Sequence, residues 1–161
     1  MEKGMVGDIC AVTSTVFAGM FAGGALGSNV FTMPALMKIK DTSAMRTGWK
    51  HHFLDGSRYM PRLALASIVA GSIACYLDDT DNKYYWLAGA GTMFSLIPYT
   101  MFVIIPDVNI LLKDDVIEQR GEEWVRTNVD KWGKRHLVRS AVSSAAFGTY
   151  LFALLRRKSY F

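Results

Sequence analysis

The chain of 161 residues is 51% apolar and 20% charged, with a formal net charge of +4. Its length suits one domain, and so small a charge leaves no footprint for nucleic acid. The charges gather between four long apolar stretches, which excludes an ordinary soluble fold, because so many core helices would leave too few amphipathic ones to cover them.

The first stretch predicts a membrane span over about residues 10–36. A hydrocarbon core about 30 Å thick takes about 20 residues of helix. The run is too long for a signal peptide, and Met1–Cys10 lacks the arginines of a mitochondrial presequence. Gly19, Gly23 and Gly27 form a smooth stripe at four-residue spacing. Such a stripe fits close packing inside the bundle, or against a second copy or another membrane subunit. Asn29 lies one turn before Pro34, so deep in the apolar run that its amide needs a partner. Pro34 is expected to bend or end the helix.

Residues 44–59 follow, with Met45, Trp49 and Phe53 at four-residue spacing, and read as an interfacial helix. The second span, about 60–77, is short, but Arg62 can snorkel and Tyr59 and Tyr76 can sit at the two interfaces. Ser67, Gly71 and Cys75 form its small-residue stripe. The third span covers about 84–106, with Ala88 and Thr92 as small residues and Gly89 and Gly91 beside them. Pro98 is expected to kink it near Phe94–Ser95. Residues 114–135 put Ile117, Gly121, Trp124, Asn128 and Trp132 along one face, a second interfacial helix that leads into the fourth span, about 137–155. There Ser140, Ser144 and Gly148 repeat. The expected fold is all-α: one membrane domain, an integral four-helix bundle with one or two interfacial amphipathic helices. Four short helices enclose too little water for a channel or large transporter built from one copy.

Four spans put both termini and the loop 78–83 on one side, and the longer loops 38–60 and 107–136 on the other. The long-loop side collects 13 of the 18 Lys and Arg residues. The excess of positive charge predicts that this side is cytosolic, or faces the equivalent compartment. Cys10 and Cys75 fall in apolar segments near one end, as packing residues or as a disulfide if their backbones meet. Their spacing matches no metal or redox motif.

Candidate chemistry sits at the membrane boundary, where ionisable groups are costly. His136 and Arg139 are three residues apart and share a helical face, close to Trp132. An imidazole beside a fixed positive charge, under an apolar roof, could hold a flat phenolic or enol-like ligand and stabilise its anion. The same residues could instead satisfy a helix end and reach lipid phosphate. His51, His52 and Asp55, with His136, make a metal site imaginable, but a histidine doublet in a polar loop fits a solvated surface more simply. No metal is expected. No phosphate loop or nucleophile elbow is present.

The segment Ile97-Pro98-Tyr99-Thr100-Met101-Phe102-Val103-Ile104-Ile105-Pro106, with Asn109 and Leu111-Leu112, resembles the third helix of the anthrone oxygenase-like membrane proteins. Lys131-Trp132-Gly133-Lys134-Arg135-His136-Leu137-Val138-Arg139 is similar to that family's Trp-Gly-x-x-His-x-x-Arg approach to the last helix. The glycine-rich first helix, Pro34 and Trp49 fit in order, so the resemblance runs from about Phe17 to Leu155. It implies a four-helix membrane protein. It also implies oxidation of an anthrone-like aromatic to an anthraquinone by O2, with no cofactor, neither metal nor flavin. In that reading His136 removes a proton from the activated methylene, Arg139 steadies the phenolate, and Asn29, Trp49 and Trp132 shape the pocket. The His51-His52 doublet and the charged Lys113–Arg126 stretch depart from the pattern. A second reading, from a different class, is an accessory subunit of a membrane complex whose glycine stripe faces partners.

Overall fold

The structure, a computed structural model, describes residues 2–158, and every regular element among them is helical. Helix α1 (Glu2–Gly27) passes through a π-helical turn (Ser28–Thr32) into α2 (Met33–Met37). Helix α3 (Thr42–Leu77) follows, then α4 (Lys83–Tyr99), a second π-helical turn (Thr100–Ile104) and α5 (Ile105–Leu111). The chain closes with the short α6 (Val116–Arg120) and α7 (Glu122–Lys158). Gly121, between them, has φ +83°, a left-handed conformation that glycine adopts without a side-chain clash.

Two prolines explain the π turns. Proline has no N–H, and its ring collides with the carbonyl four residues back. Pro34 and Pro106 each stand second in the short helix after a π turn. In both turns the backbone bond reaches five residues back, from Met33 N–H to the Ser28 carbonyl and from Ile105 N–H to the Thr100 carbonyl. The chain thus bypasses the missing donor with one wide turn. Helix α4 continues through Phe94–Ser95 and Pro98, where a kink is expected from sequence, and the departure from α-helical bonding falls at Thr100–Ile104.

Helices α1 and α4 each pack along both α3 and α7, so α3 and α7 stand diagonally across the bundle. Four helices are long and apolar enough to cross a membrane. On three of them the outward apolar side chains form a band, Tyr59 to Tyr76 on α3, Tyr84 to Phe102 on the third span and Leu137 to Leu155 on α7, while on the first they run farther, from Met5 to Phe31. Each band is about 19 residues, or about 28 Å of helix, which matches a hydrocarbon core. Apolar surface of this extent is unstable in water and belongs against lipid tails. The protein is a multi-pass, all-α membrane bundle.

Helices α3 and α7 continue beyond their bands. Residues 44–59, expected to form an interfacial helix, are the first half of α3, and most of 114–135 is the first half of α7. Neither breaks before its span. Their apolar faces meet each other: Met45 and Trp49 pack with Val125, Val129 and Trp132, and with Met33, Val108 and Leu111, in an outer core. Helix ends leave carbonyls without donors, and two arginines supply them here. Arg46 donates to the carbonyls of Leu111 and Lys113, and Arg126 to those of Met37, Ile39 and Lys40.

The inner core corrects one reading of the first-span stripe, packing inside the bundle, at Gly23 and Gly27. Helix α1 buries Ala11, Ser14, Ala18, Phe21 and Ala25, one register away from the predicted stripe. A Cβ on Gly23 or Gly27 would meet nothing within 4 Å, and one on Gly19 only the ring of Phe147. The closest approaches are at Gly71 on α3 and Gly89 on α4. Both face Tyr150, an added Cβ standing 2.2 Å from its hydroxyl oxygen at Gly71 and 2.6 Å from its ring at Gly89. Its hydroxyl donates to the Ser67 carbonyl at 3.3 Å. Cys10 and Cys75 are free thiols at the edge of this core.

At the end with the termini, Asp78 closes α3 and ties three segments together. It accepts from Thr80 N–H at 3.1 Å, Thr80 Oγ1–H at 2.6 Å and Trp86 Nε1–H at 3.1 Å, and pairs with Arg157, which also pairs with Asp8. Burial pushes this carboxyl up, but the bonds from Thr80 and Trp86 and the Arg157 charge outweigh it and hold it below the ordinary carboxylate range. A depressed folded-state pKa stabilises the fold above the ordinary aspartate pKa, and that contribution disappears as pH falls through the depressed one. Asp78→Asn should therefore lower the melting temperature at neutral pH, and the gap to wild type should close on acidification below about pH 4. A gap that stays constant with pH would mean that the carboxylate charge contributes nothing.

Candidate functional site

A cavity of about 510 Å³ opens where the outer core meets the membrane band. All four spans line it. Gly24 and Ser28 come from the first, residues between His52 and Pro61 from α3, Thr100 and Met101 from the π turn of the third with Ile105 at the start of α5, and Trp132, His136 and Arg139 from α7. Tyr59 and Met101, both exposed, stand at its rim.

His136 is 4% exposed and stacks on Trp132, ring centres 4.8 Å apart. Its partner is Asn29. The Asn29 amide nitrogen donates to the Gly133 carbonyl at 2.9 Å. A carbonyl only accepts, so this bond fixes which way the amide points and turns Oδ1 toward α7. That oxygen accepts from Ser140 Oγ–H at 2.9 Å and lies 2.9 Å from His136 Nδ1. An amide oxygen cannot donate, so Nδ1 carries the proton of the neutral ring and Nε2 keeps a free lone pair. No side chain or carbonyl among the described residues takes Nε2.

Arg139 sits one turn further on, its guanidinium 5.5 Å above the Phe21 ring. Among the described residues it has no carboxylate and no hydrogen-bond acceptor, and its buried Nε is unpartnered. A cation held largely out of water with no carboxylate beside it is poised for an anion. Arg135, four residues earlier on the same helix, is by contrast engaged. It donates to Asp107 and to the Val103 carbonyl in the second π turn.

Of the five residues singled out from sequence, His136, Arg139 and Trp132 line the cavity. Asn29 stands behind His136. Trp49 does not reach the cavity; fully buried, it meets Trp132 edge-on at 5.8 Å from within the outer core. His51 is exposed, and no three His, Cys, Asp or Glu side chains among the described residues are placed to hold a metal ion. Two further residues join the site, Ser140, read from sequence only as part of a small-residue stripe, and His52, considered there only as a metal ligand. Ser140 shares the Asn29 oxygen with His136. His52 lines the cavity, and its Nε2 lies 3.0 Å from Ser28 Oγ. The signal for His52 was its place one turn after Trp49 on α3, which sets it beside Trp132, ring centres 6.3 Å apart.

No curated protein sequence and no solved structure matches the chain. A family model described as anthrone oxygenase does, over residues 49–149. The matched segment takes in every cavity residue on α3, the second π turn and α7, and leaves Asn29 and Ser28 outside. It covers more than half of the sequence, and the chain belongs to the anthrone oxygenase family.

Proposed function

We propose that this protein oxidises a flat, anthrone-like aromatic with O2, using His136 as base and Arg139 to hold the resulting anion. The observation that carries the reading is the pairing, in one cavity, of a histidine nitrogen free to accept a proton with a cation that lacks a counter-charge. Loss of a methylene proton from an anthrone leaves an enolate whose charge rests on the ring oxygen. A guanidinium in a water-poor pocket stabilises such an oxyanion far better than water would. Asn29 and Ser140 act on His136 alone, presenting the tautomer whose Nε2 is unprotonated. Trp132 offers a flat surface beside the imidazole. The rim at Tyr59 and Met101 lies in the membrane band, so an apolar substrate can enter from lipid.

The direct test is oxygen uptake and quinone formation by the purified chain in detergent with an anthrone as substrate. Turnover that tracks protein concentration supports the reading. Absence of turnover, with stable membrane partners co-purifying, favours the accessory-subunit reading instead.

The loops 38–60 and 107–136 are proposed to face the cytosol or its equivalent, on the charge asymmetry of the two ends. Single cysteines placed at Asp81 and Trp124, in a background lacking Cys10 and Cys75, should be labelled from opposite sides, Trp124 from the cytosolic one. Labelling of both from one side would contradict the four-span arrangement.

A further inference from the structure

We propose that His52 is a second base of this cavity and removes the proton whose loss converts a bound hydroperoxide into the ketone. The inference rests on the oxygenase reading above and adds a step to it. Its ground is the π turn on the first span, where the adjacent residues Ser28 and Asn29 each hold one histidine. Ser28 Oγ–H donates to the Gly24 carbonyl at 3.1 Å, so its oxygen accepts from His52 Nε2–H at 3.0 Å. That leaves His52 Nδ1 as the free lone pair. In His136 the assignment is reversed, with Nδ1 held and Nε2 free. A π turn brings successive side chains closer in angle than an α-helical turn does. One short piece of backbone can therefore serve α3 and α7, which face each other diagonally. Both rings border the cavity, and both touch Trp132.

The chemistry calls for two proton losses from one carbon. The methylene carries two hydrogens, one on each face of a flat ring system. His136 Nε2 takes the first, and the electron pair passes into the enolate beside Arg139. One electron then moves to O2, the radical pair joins in a C–O bond, and the peroxide anion recovers the proton from His136. The product so far is a hydroperoxide, still bearing the second hydrogen. His52 Nδ1 removes that hydrogen as a proton, and its bonding pair becomes the new C=O bond. The O–O bond breaks, and the departing hydroxide takes the proton from His52 to leave as water. One methylene and one O2 give one ketone and one water. A single base would have to reach both faces of the ring, whereas two imidazoles carried by different helices divide that task.

The experiment follows products as well as rate. The full chain in detergent is given an anthrone in aerated buffer, quenched in acid within seconds, and assayed for O2 consumed, hydroperoxide and quinone. His52→Gln keeps a donor for Ser28 but no base. Its early quinone yield per O2 should fall about a hundredfold, within the range for loss of a general base, a ratio that does not depend on any change in the O2 rate itself. Hydroperoxide should make up the difference. Ser28→Ala, which leaves His52 untethered, should show a smaller shift in the same direction. A wild-type ratio of quinone to O2 in His52→Gln overturns the role of His52 and leaves the oxygenase reading standing. If that variant does not fold, a wild-type ratio in Ser28→Ala overturns it equally. A wild-type chain that consumes no O2 overturns the underlying reading, a result that cannot be confused with either.

Discussion

Replacing His136 with glutamine is expected to lower O2-dependent turnover of an anthrone by about 10²- to 10⁴-fold, the usual range for removing a general base. Glutamine can still bond to Asn29 Oδ1, so the fold should survive and melting should change little. Arg139→Lys should retain part of the activity. A lysine restores the charge but replaces a planar, delocalised fork with a strongly hydrated point charge, a poorer match for an enolate and for the Phe21 ring face. Asn29→Leu separates positioning from chemistry. It removes the oxygen that holds Nδ1–H, so the ring can present the wrong nitrogen and kcat should fall more than affinity. Activity in His136→Gln equal to that of wild type would end the assignment. A loss accompanied by unfolding would show that the histidine serves packing, since its bond to Asn29 also joins α7 to the first span.

The largest effects on stability are expected at Tyr150 and at Gly89 against it, rather than in the glycine stripe of the first helix. A Cβ at Gly89 would stand 2.6 Å from the Tyr150 ring, and a leucine could be admitted only by driving that ring out of its slot between α3 and α4. Overpacking of this kind costs about 1–3 kcal/mol, and emptying the slot with Tyr150→Ala costs about 3–5 kcal/mol. For a chain of this size each kcal/mol lowers the melting temperature by about 2–4 °C. Gly89→Leu and Tyr150→Ala should both lose several degrees in detergent, and Gly23→Leu should lose almost none. The reverse order would show that the Gly19/Gly23/Gly27 stripe, not Tyr150, holds the helices together.

That contrast also marks how far the sequence could be read. Span number, the all-α class and the break into loops follow from hydropathy, because charge is intolerable in hydrocarbon. Which face of each span turns inward does not follow. In water the inward face is apolar and the outward face polar, but in lipid both are apolar, so Ala18 and Val16 look alike in sequence although one is buried and the other exposed. Glycine spacing served as a substitute signal. It succeeded for Ser67 and Gly71, whose gap admits an aromatic ring, and failed for Gly23, which faces outward. His136 and Arg139 were legible through their three-residue spacing. The Asn29 amide was known to need a partner, but that partner lies 107 residues away on another helix, a pairing no local pattern encodes. His52 was hidden for a related reason. Beside His51 it looked like half of a solvated doublet, and only the continuation of residues 44–59 into α3 turns one histidine inward and the other out.

Trp132 belongs to two neighbourhoods at once, packed edge-on against Trp49 and Phe53 on one side and stacked on His136 on the other. A side chain shared in this way cannot be retuned for one purpose without loosening the other. New substrate preferences would therefore have to arise on the opposite wall. Gly56, Ser57, Tyr59 and Met101 line the cavity there without being buried in either core, so they can change size at little cost to the fold. Directed libraries confined to those four positions should yield folded proteins with altered ligand choice far more often than libraries that include Trp132.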